Sequence, residues 1–211
     1  MPALAAIGWL GAVALPAAAP PGAELVRPAS ERIALHARPG GRVVGALTPR
    51  TPYGSPTRLW VRARRDGWLK VSHRDAPGGA GWVRARRTAP AGNAPRRIVI
   101  DRSARRLTVL GGGRRWSTRV IIGAAGTPTP LGTFQVTDSL DGRRFGGVYG
   151  GHVFALSAYG TKARTARLAI HGMPPGARNP AASAGCVRVP ERALARLVRE
   201  ARVGTPVRVK R

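Results

Sequence analysis

One cysteine, Cys186, stands in 211 residues. That excludes an intrachain disulfide and a cysteine-based zinc cage. Acidic residues are scarce: nine Asp and Glu face thirty-six Lys and Arg, for a net charge of +27. Lysine is scarcer still, with only Lys70, Lys162 and Lys210 among the basic residues. Such a charge invites polyanions. The basic residues are scattered, however, and no aromatic-interleaved basic motif accompanies them, so nucleic acid is not an expected partner. No cluster of metal-ligating residues and no Gly-rich phosphate loop is evident. The expected complement is therefore no cofactor and no metal. What is abundant is glycine (28), proline (19) and an overall 43% of hydrophobic residues. That is enough apolar material for a core, with the turns of a β-rich chain.

Residues 1–23 carry no charged side chain, and Ala3 to Leu15 is a continuous apolar run ending in Pro16-Ala17-Ala18-Ala19. This is similar to the apolar region and small-residue cut site of an export signal. Two features depart from that pattern: no Lys or Arg precedes the run, and Pro20 follows the Ala-x-Ala. The run is short of the ~20 residues of a membrane-spanning helix. The expectation is an exported chain, with an uncleaved membrane anchor or an unstructured Ala-rich tail as the alternatives. Residues 30–90 read as five short strands: 33–36, 41–47, 59–61, 67–71 and 81–83. Pro39-Gly40-Gly41, Asp66-Gly67 and Pro77-Gly78-Gly79 are among the turns between them, which suggests a small closed barrel. Gly67-Trp68-Leu69-x-Val71 followed by Gly81-Trp82-Val83 resembles bacterial Src-homology-3-like domains, a resemblance that implies wall or peptide binding or a packing partner. His36 and His73 read as surface residues. Residues 91–95 have the composition of a linker.

From residue 96 to 209 the pattern is a strand meander. Arg97–Asp101 and Arg106–Leu110 flank the turn Arg102-Ser-Ala-Arg105. The stretch 116–122 is another strand. A Pro-rich loop then delivers the strand 132–138. Further strands fall at 153–157, 168–171 and 205–209. Pro190-Glu191 opens a helix. Its apolar stripe would be Leu194, Leu197, Val198 and Ala201, and Gly204 is the expected stop.

Cys186 follows His171 by fifteen residues, and His171 ends an apolar strand. A thiol and an imidazole brought together make a nucleophile and its base. A neighbouring imidazolium would lower the thiol pKa. No Asp or Glu lies between Asp141 and Glu191, so a backbone carbonyl is expected to fix the histidine tautomer, with Gly172 the candidate. Gly185 allows a tight turn that can aim the amides of Ala184, Gly185 and Cys186 at an oxyanion. Arg188 could bind a substrate carboxylate, or be one solvated cation among many.

Three pieces in order resemble the L,D-transpeptidase catalytic domain: Gly126-Thr-Pro-Thr-Pro-Leu-Gly-Thr-Phe134, Ile170-His171-Gly172 and Ser183-Ala184-Gly185-Cys186-Val187-Arg188. The closing Gly204-Thr-Pro-Val-Arg-Val209 also fits. The resemblance implies a mainly β fold of sandwich or barrel-like form with one C-terminal helix, here preceded by the smaller Src-homology-3-like barrel. It implies a cysteine acyltransferase acting on peptidoglycan stem peptides, as donor and acceptor, at the periplasmic or wall side of a bacterium. In this family the cysteine attacks the third residue of a tetrapeptide stem, D-alanine leaves, and a second stem's amine resolves the thioester into a 3→3 cross-link. The matching positions imply Cys186 as nucleophile and His171 as proton donor and acceptor. They imply the Gly172 carbonyl as orienter and the Gly185 amide in the oxyanion hole. Ser183 and Arg188 are the substrate-binding candidates. One departure stands out: the family reads Ser-His-Gly-Cys where this chain has Ala184. The rival readings are stem hydrolysis, a wall-binding protein whose enzyme has decayed, and a polyanion binder for the anionic wall. The protein is expected to act as a monomer, touching a membrane only through the N-terminal segment.

Overall fold

The computed structural model describes residues 22–146, 148–159, 167–173 and 183–211. The signal-like stretch, apart from its last two residues, lies outside them, as does most of the loop between His171 and Cys186.

Seven strands come first: β1 (Ala23–Pro28), β2 (Ile33–His36), β3 (Val43–Leu47), β4 (Leu59–Arg65), β5 (Trp68–Ser72), β6 (Ala80–Arg84) and β7 (Thr88–Ala94). They form one sheet in the order β3-β2-β6-β5-β4-β1-β7. The five expected strands are β2 to β6. β1 and β7 are added along one side, next to β4, so the sheet exceeds the expected five-stranded barrel. Residues 91–94, read as linker, are the second half of β7, paired with β1. Pro90 and Gly92 disguise it, but β7 is an edge strand, where a missing donor is tolerated. Leu35, Val71 and Val83 anchor this core. Trp68 is buried, with the Arg84 guanidinium 4.2 Å from its ring centroid. His73 is not a surface residue: its ring is packed beside Arg74 and Asp75, and burial pulls its pKa down to about 4.

The second sheet holds β8 (Arg97–Asp101), β9 (Arg106–Gly111), β10 (Arg114–Arg119), β11 (Gly132–Asp141), β12 (His152–Tyr159), β13 (Arg167–Gly172), β14 (Val187–Val189) and β15 (Pro206–Lys210). Its order is β10-β9-β8-β15-β11-β12-β13-β14. The pairings β8–β15 and β13–β14 are parallel and the rest antiparallel. The β8–β9 turn is closed by Asp101, whose carboxylate accepts from the Ala104 amide and the Ser103 hydroxyl at 2.9 Å each. One helix, α1 (Glu191–Glu200), follows β14 and buries Leu194 and Leu197 in the same core as Ile98, Phe154 and Ile170. Val198 is not part of the buried stripe; it is exposed on the outer face. Nor does Gly204 end the helix, which stops at Glu200 with Ala201 as its cap. Gly204 lies in the turn into β15 at φ +94, with Leu25 of β1 packed where a Cβ would go. The fold is thus mainly β with one helix near its end.

Polar bonds, one of them buried, join the two sheets. Gln135 on β11 accepts from the Trp60 amide at 2.7 Å and donates to the Arg58 carbonyl at 2.6 Å. Thr51 donates to Asp138, Arg74 to Tyr159 at 3.2 Å, and Tyr159 to Asp75 at 2.7 Å.

Candidate active site

Parallel pairing of β13 with β14 sets His171 opposite Arg188 and Ile170 opposite Val187. Cys186, the residue before β14, therefore lies beside the start of β13. Its thiol donates a long hydrogen bond to the Arg167 carbonyl, at 3.9 Å. Of the sequence candidates, His171, Gly172, Cys186 and Arg188 are brought together on these two neighbouring strands.

His171 is 2% exposed. Its Nδ1 lies 2.7 Å from the Gly172 carbonyl oxygen. A carbonyl only accepts, so Nδ1 carries the proton and Nε2 keeps its lone pair in the neutral ring. The ring stacks edge-on against Tyr149 at 4.9 Å, and Tyr149 in turn packs against Phe145. The Tyr149 carbonyl accepts from the Gly172 amide at 2.8 Å. Gly172 has no room for a side chain: a Cβ there would meet the Gly150 backbone at 2.8 Å.

The electrostatics differ from the expectation of a thiolate beside an imidazolium. Burial pulls His171 down to about 4, reinforced by the Arg188 charge and only partly opposed by the Gly172 hydrogen bond. Burial pushes the Cys186 thiol up, against weaker pulls from a backbone hydrogen bond with Ala169 and from Arg188. Both shifts favour an uncharged resting pair. A histidine held neutral in the fold regains its proton on unfolding, so its stabilising effect is full above 6.5 and lost as pH falls toward 4. His171 alone is worth on the order of 3 kcal/mol over that window. His73, shifted the same way, adds to the loss. Thermal unfolding followed from pH 7 to pH 4 should show a steep decline. Replacing His73 with Gln should make it shallower.

Ser183 serves the loop. It is buried, donates to the Cys186 carbonyl at 2.6 Å and accepts from the Gly185 amide at 3.2 Å. With its hydroxyl committed there, it braces the Gly185–Cys186 turn, and the Gly185 amide rests on it. Gly185 takes φ +114, a conformation that favours glycine. Ala184 lines the cleft over the thiol. His152 bonds Ser139 Oγ at 2.8 Å and packs on Phe154. It alternates with Val153 and Ala155, the β12 residues that line the cleft, so it is on the other side of that strand.

Several contributors were missed in the sequence. The Pro-rich loop does more than deliver β11. Thr127 Oγ1 donates to the Ser183 carbonyl at 2.9 Å, the Ala124 amide donates to the same oxygen at 3.1 Å, and Thr129 Oγ1 accepts from Gly123 at 2.9 Å. The loop therefore clamps the segment that leads into Cys186. Asp138, fully buried, pairs at 2.9 Å with Arg167, the residue whose carbonyl meets the thiol. The cleft itself, about 330 Å³, is lined by Phe145, Tyr149, Val153, Arg167 and Cys186, and by Tyr53 of the loop between β3 and β4. Among the described residues no group of His, Cys, Asp or Glu could hold a metal ion. No helix among them is long and apolar enough to cross a membrane.

A search of curated proteins returned no match. Among solved structures, an L,D-transpeptidase from Enterococcus faecium is 18% identical, covering 55% of this chain and 50% of its own, with a TM-score of 0.45. One from Mycobacterium smegmatis is 20% identical, covering 72% and 82%, with a TM-score of 0.45. L,D-transpeptidase 1 of Mycobacterium tuberculosis is 22% identical, covering 62% and 77%, with a TM-score of 0.41. The chain spans about half the length of the first of these. The family model of the YkuD L,D-transpeptidase catalytic domain matches residues 95–209, more than half of the sequence. The chain belongs to the YkuD L,D-transpeptidase family.

Proposed function

We propose that the protein is an exported cysteine acyltransferase that cross-links peptidoglycan stem peptides, with Cys186 as nucleophile. The observation that supports this is the β13–β14 pairing, which brings Cys186, just before β14 and lining the cleft, next to β13, the strand that carries His171 with its Nδ1 committed to the Gly172 carbonyl.

The reaction begins as His171 Nε2 takes the thiol proton while sulfur bonds to the carbonyl of the third stem residue. The charge on the carbonyl oxygen is met by amides of the Gly185–Cys186 turn, the Gly185 amide exchanging its 3.2 Å bond to Ser183 for the oxyanion. His171 then gives its proton to the departing D-alanine nitrogen, leaving a thioester. The side-chain amine of a second stem attacks, His171 removes its proton, and collapse expels the Cys186 sulfur to form a 3→3 amide. Arg188, whose charge reaches both His171 and Cys186, holds a stem carboxylate and favours the developing anion. Neutral resting groups suit this sequence, because the base works only while sulfur is bonding. Residues 30–90 act as an accessory wall-facing domain, and the high positive charge suits the anionic polymers of the wall.

Intact-protein mass spectrometry after incubation with a tetrapeptide stem tests this. The expected result is an acyl adduct lighter than the full stem by D-alanine in the wild type and none in Cys186→Ala, with a cross-linked dimer among the products. A trimmed stem without dimer would assign hydrolysis instead. An adduct that survives in Cys186→Ala would overturn the assignment.

A further inference from the structure

Tyr53 is the one residue of the first sheet's loops that lines the cleft over Cys186 among the described residues. It is 48% exposed, which on a turn would need no explanation by itself. The turn is built to hold it, however. The Thr51 amide donates to the Ser55 carbonyl at 2.8 Å, Gly54 donates back to Thr51 at 2.9 Å, and Arg50 donates to the Gly54 carbonyl at 2.8 Å. Thr51 is then tied across to the fully buried Asp138. The Arg167 guanidinium, held by that same carboxylate, sits 5.2 Å from the Tyr53 ring centroid, within cation–π range. The loop is thus tied to β11 through Asp138 and to β13, whose Arg167 carbonyl receives the thiol hydrogen bond, through the Arg167–Tyr53 contact.

We infer that Tyr53 is a substrate-contacting residue, which makes the first seven-stranded sheet part of the acyl-donor site. This rests on the proposed role of Cys186 as acyl-accepting nucleophile. The occupant is the donor stem peptide. Leu140, Phe145 and Val153 give the cleft apolar walls suited to methyl and methylene groups, and no acidic side chain lines it. A short peptide ending in a carboxylate fits that chemistry, whereas a cationic ligand would meet Arg167 with no counter-charge on the wall. Tyr53 lines the cleft with Tyr149, and its ring is already held against Arg167, so little entropy is lost when a peptide packs on it.

The test measures iodoacetamide alkylation of Cys186, read by intact mass, with increasing tetrapeptide stem and the full chain. Wild type and Tyr53→Phe should be protected over the same concentration range. Tyr53→Ala should need about tenfold more peptide, while its alkylation rate without peptide stays within about twofold of wild type. Equal protection of Tyr53→Ala, or no protection of the wild type, would overturn the inference. A large change in alkylation without peptide would also overturn it, assigning Tyr53 to holding the thiol loop. Protection that depends on Tyr53 in a wild type that forms no acyl adduct would instead sustain the inference and remove the acyl-transfer role of Cys186.

Discussion

Replacing His171 with Gln should slow acylation of Cys186 by about a hundredfold to ten-thousandfold at neutral pH, and the defect should shrink steadily as pH rises. A pre-formed ion pair would leave a thiolate behind for the variant to use. Here burial pushes the thiol up and His171 down to about 4, so the variant starts from an uncharged thiol with nothing to take its proton. Only bulk hydroxide can then make the nucleophile, and the rate should follow the thiol's own ionisation. The wild type should behave differently. It needs His171 unprotonated, so acylation should hold through pH 6 and fall only as pH approaches 4. A carbapenem or a tetrapeptide stem serves as acyl donor, with adduct formation followed by mass against pH. A wild-type profile that falls through pH 6 to 7, or a His171→Gln variant within a few-fold of normal, would show that the pair is charged at rest or that another group is the base.

A second large effect should come from Asp138, which touches no reacting atom. Asp138→Asn leaves the Arg167 guanidinium buried beside a neutral amide. Breaking a buried pair from one side costs about 3–5 kcal/mol. At about 2–4 °C per kcal/mol for a chain of this size, the melting temperature should drop on the order of 10 °C. The Arg167 carbonyl meets the thiol and its ring partner is Tyr53, so Cys186 alkylation should change in the same variant. Removing both charges together, as in Asp138→Leu with Arg167→Met, should recover much of the stability, because a well-packed apolar pair often matches a buried ionic one. A double variant no more stable than Asp138→Asn would mean that the contacts of Arg167 to Thr137 and Tyr53, and not its charge balance, hold this region.

The strands that the sequence made legible share one property: Gly and Pro turns bound them, and alternation fills them. β2 to β6 and most of the second sheet are of this kind. β1 was hidden because Ala23-Glu-Leu-Val-Arg-Pro28 continues out of an apolar N-terminal stretch, and β7 because Pro90 and Gly92 read as linker. Their pairing joins residues far apart in the chain, which no local window detects. β14 has three residues, too few for a period. At the site, Cys186 and His171 stood out because their residue types are rare in this chain. Arg167 could not stand out among so many arginines, since what distinguishes it is the burial of its partner Asp138. The charge state of the pair was not legible for a related reason. It depends on how far Tyr149 and the neighbouring strands exclude water, which is a property of packing, whereas the sequence shows only that a base and a thiol are present.

β15 has a consequence for how the chain comes into being. This strand lies between β8 and β11 and is their bridge within the second sheet. Residues 206–210 follow the other strands of this sheet in chain order, so the sheet stays in two unjoined parts until they pair. Until then the facing edges of β8 and β11 are unpaired, the kind of edge that invites wrong partners. Strands β11 to β14, which carry the thiol cleft, lie wholly in one of those parts, and it is β8 to β10 that wait on β15 to be joined to them.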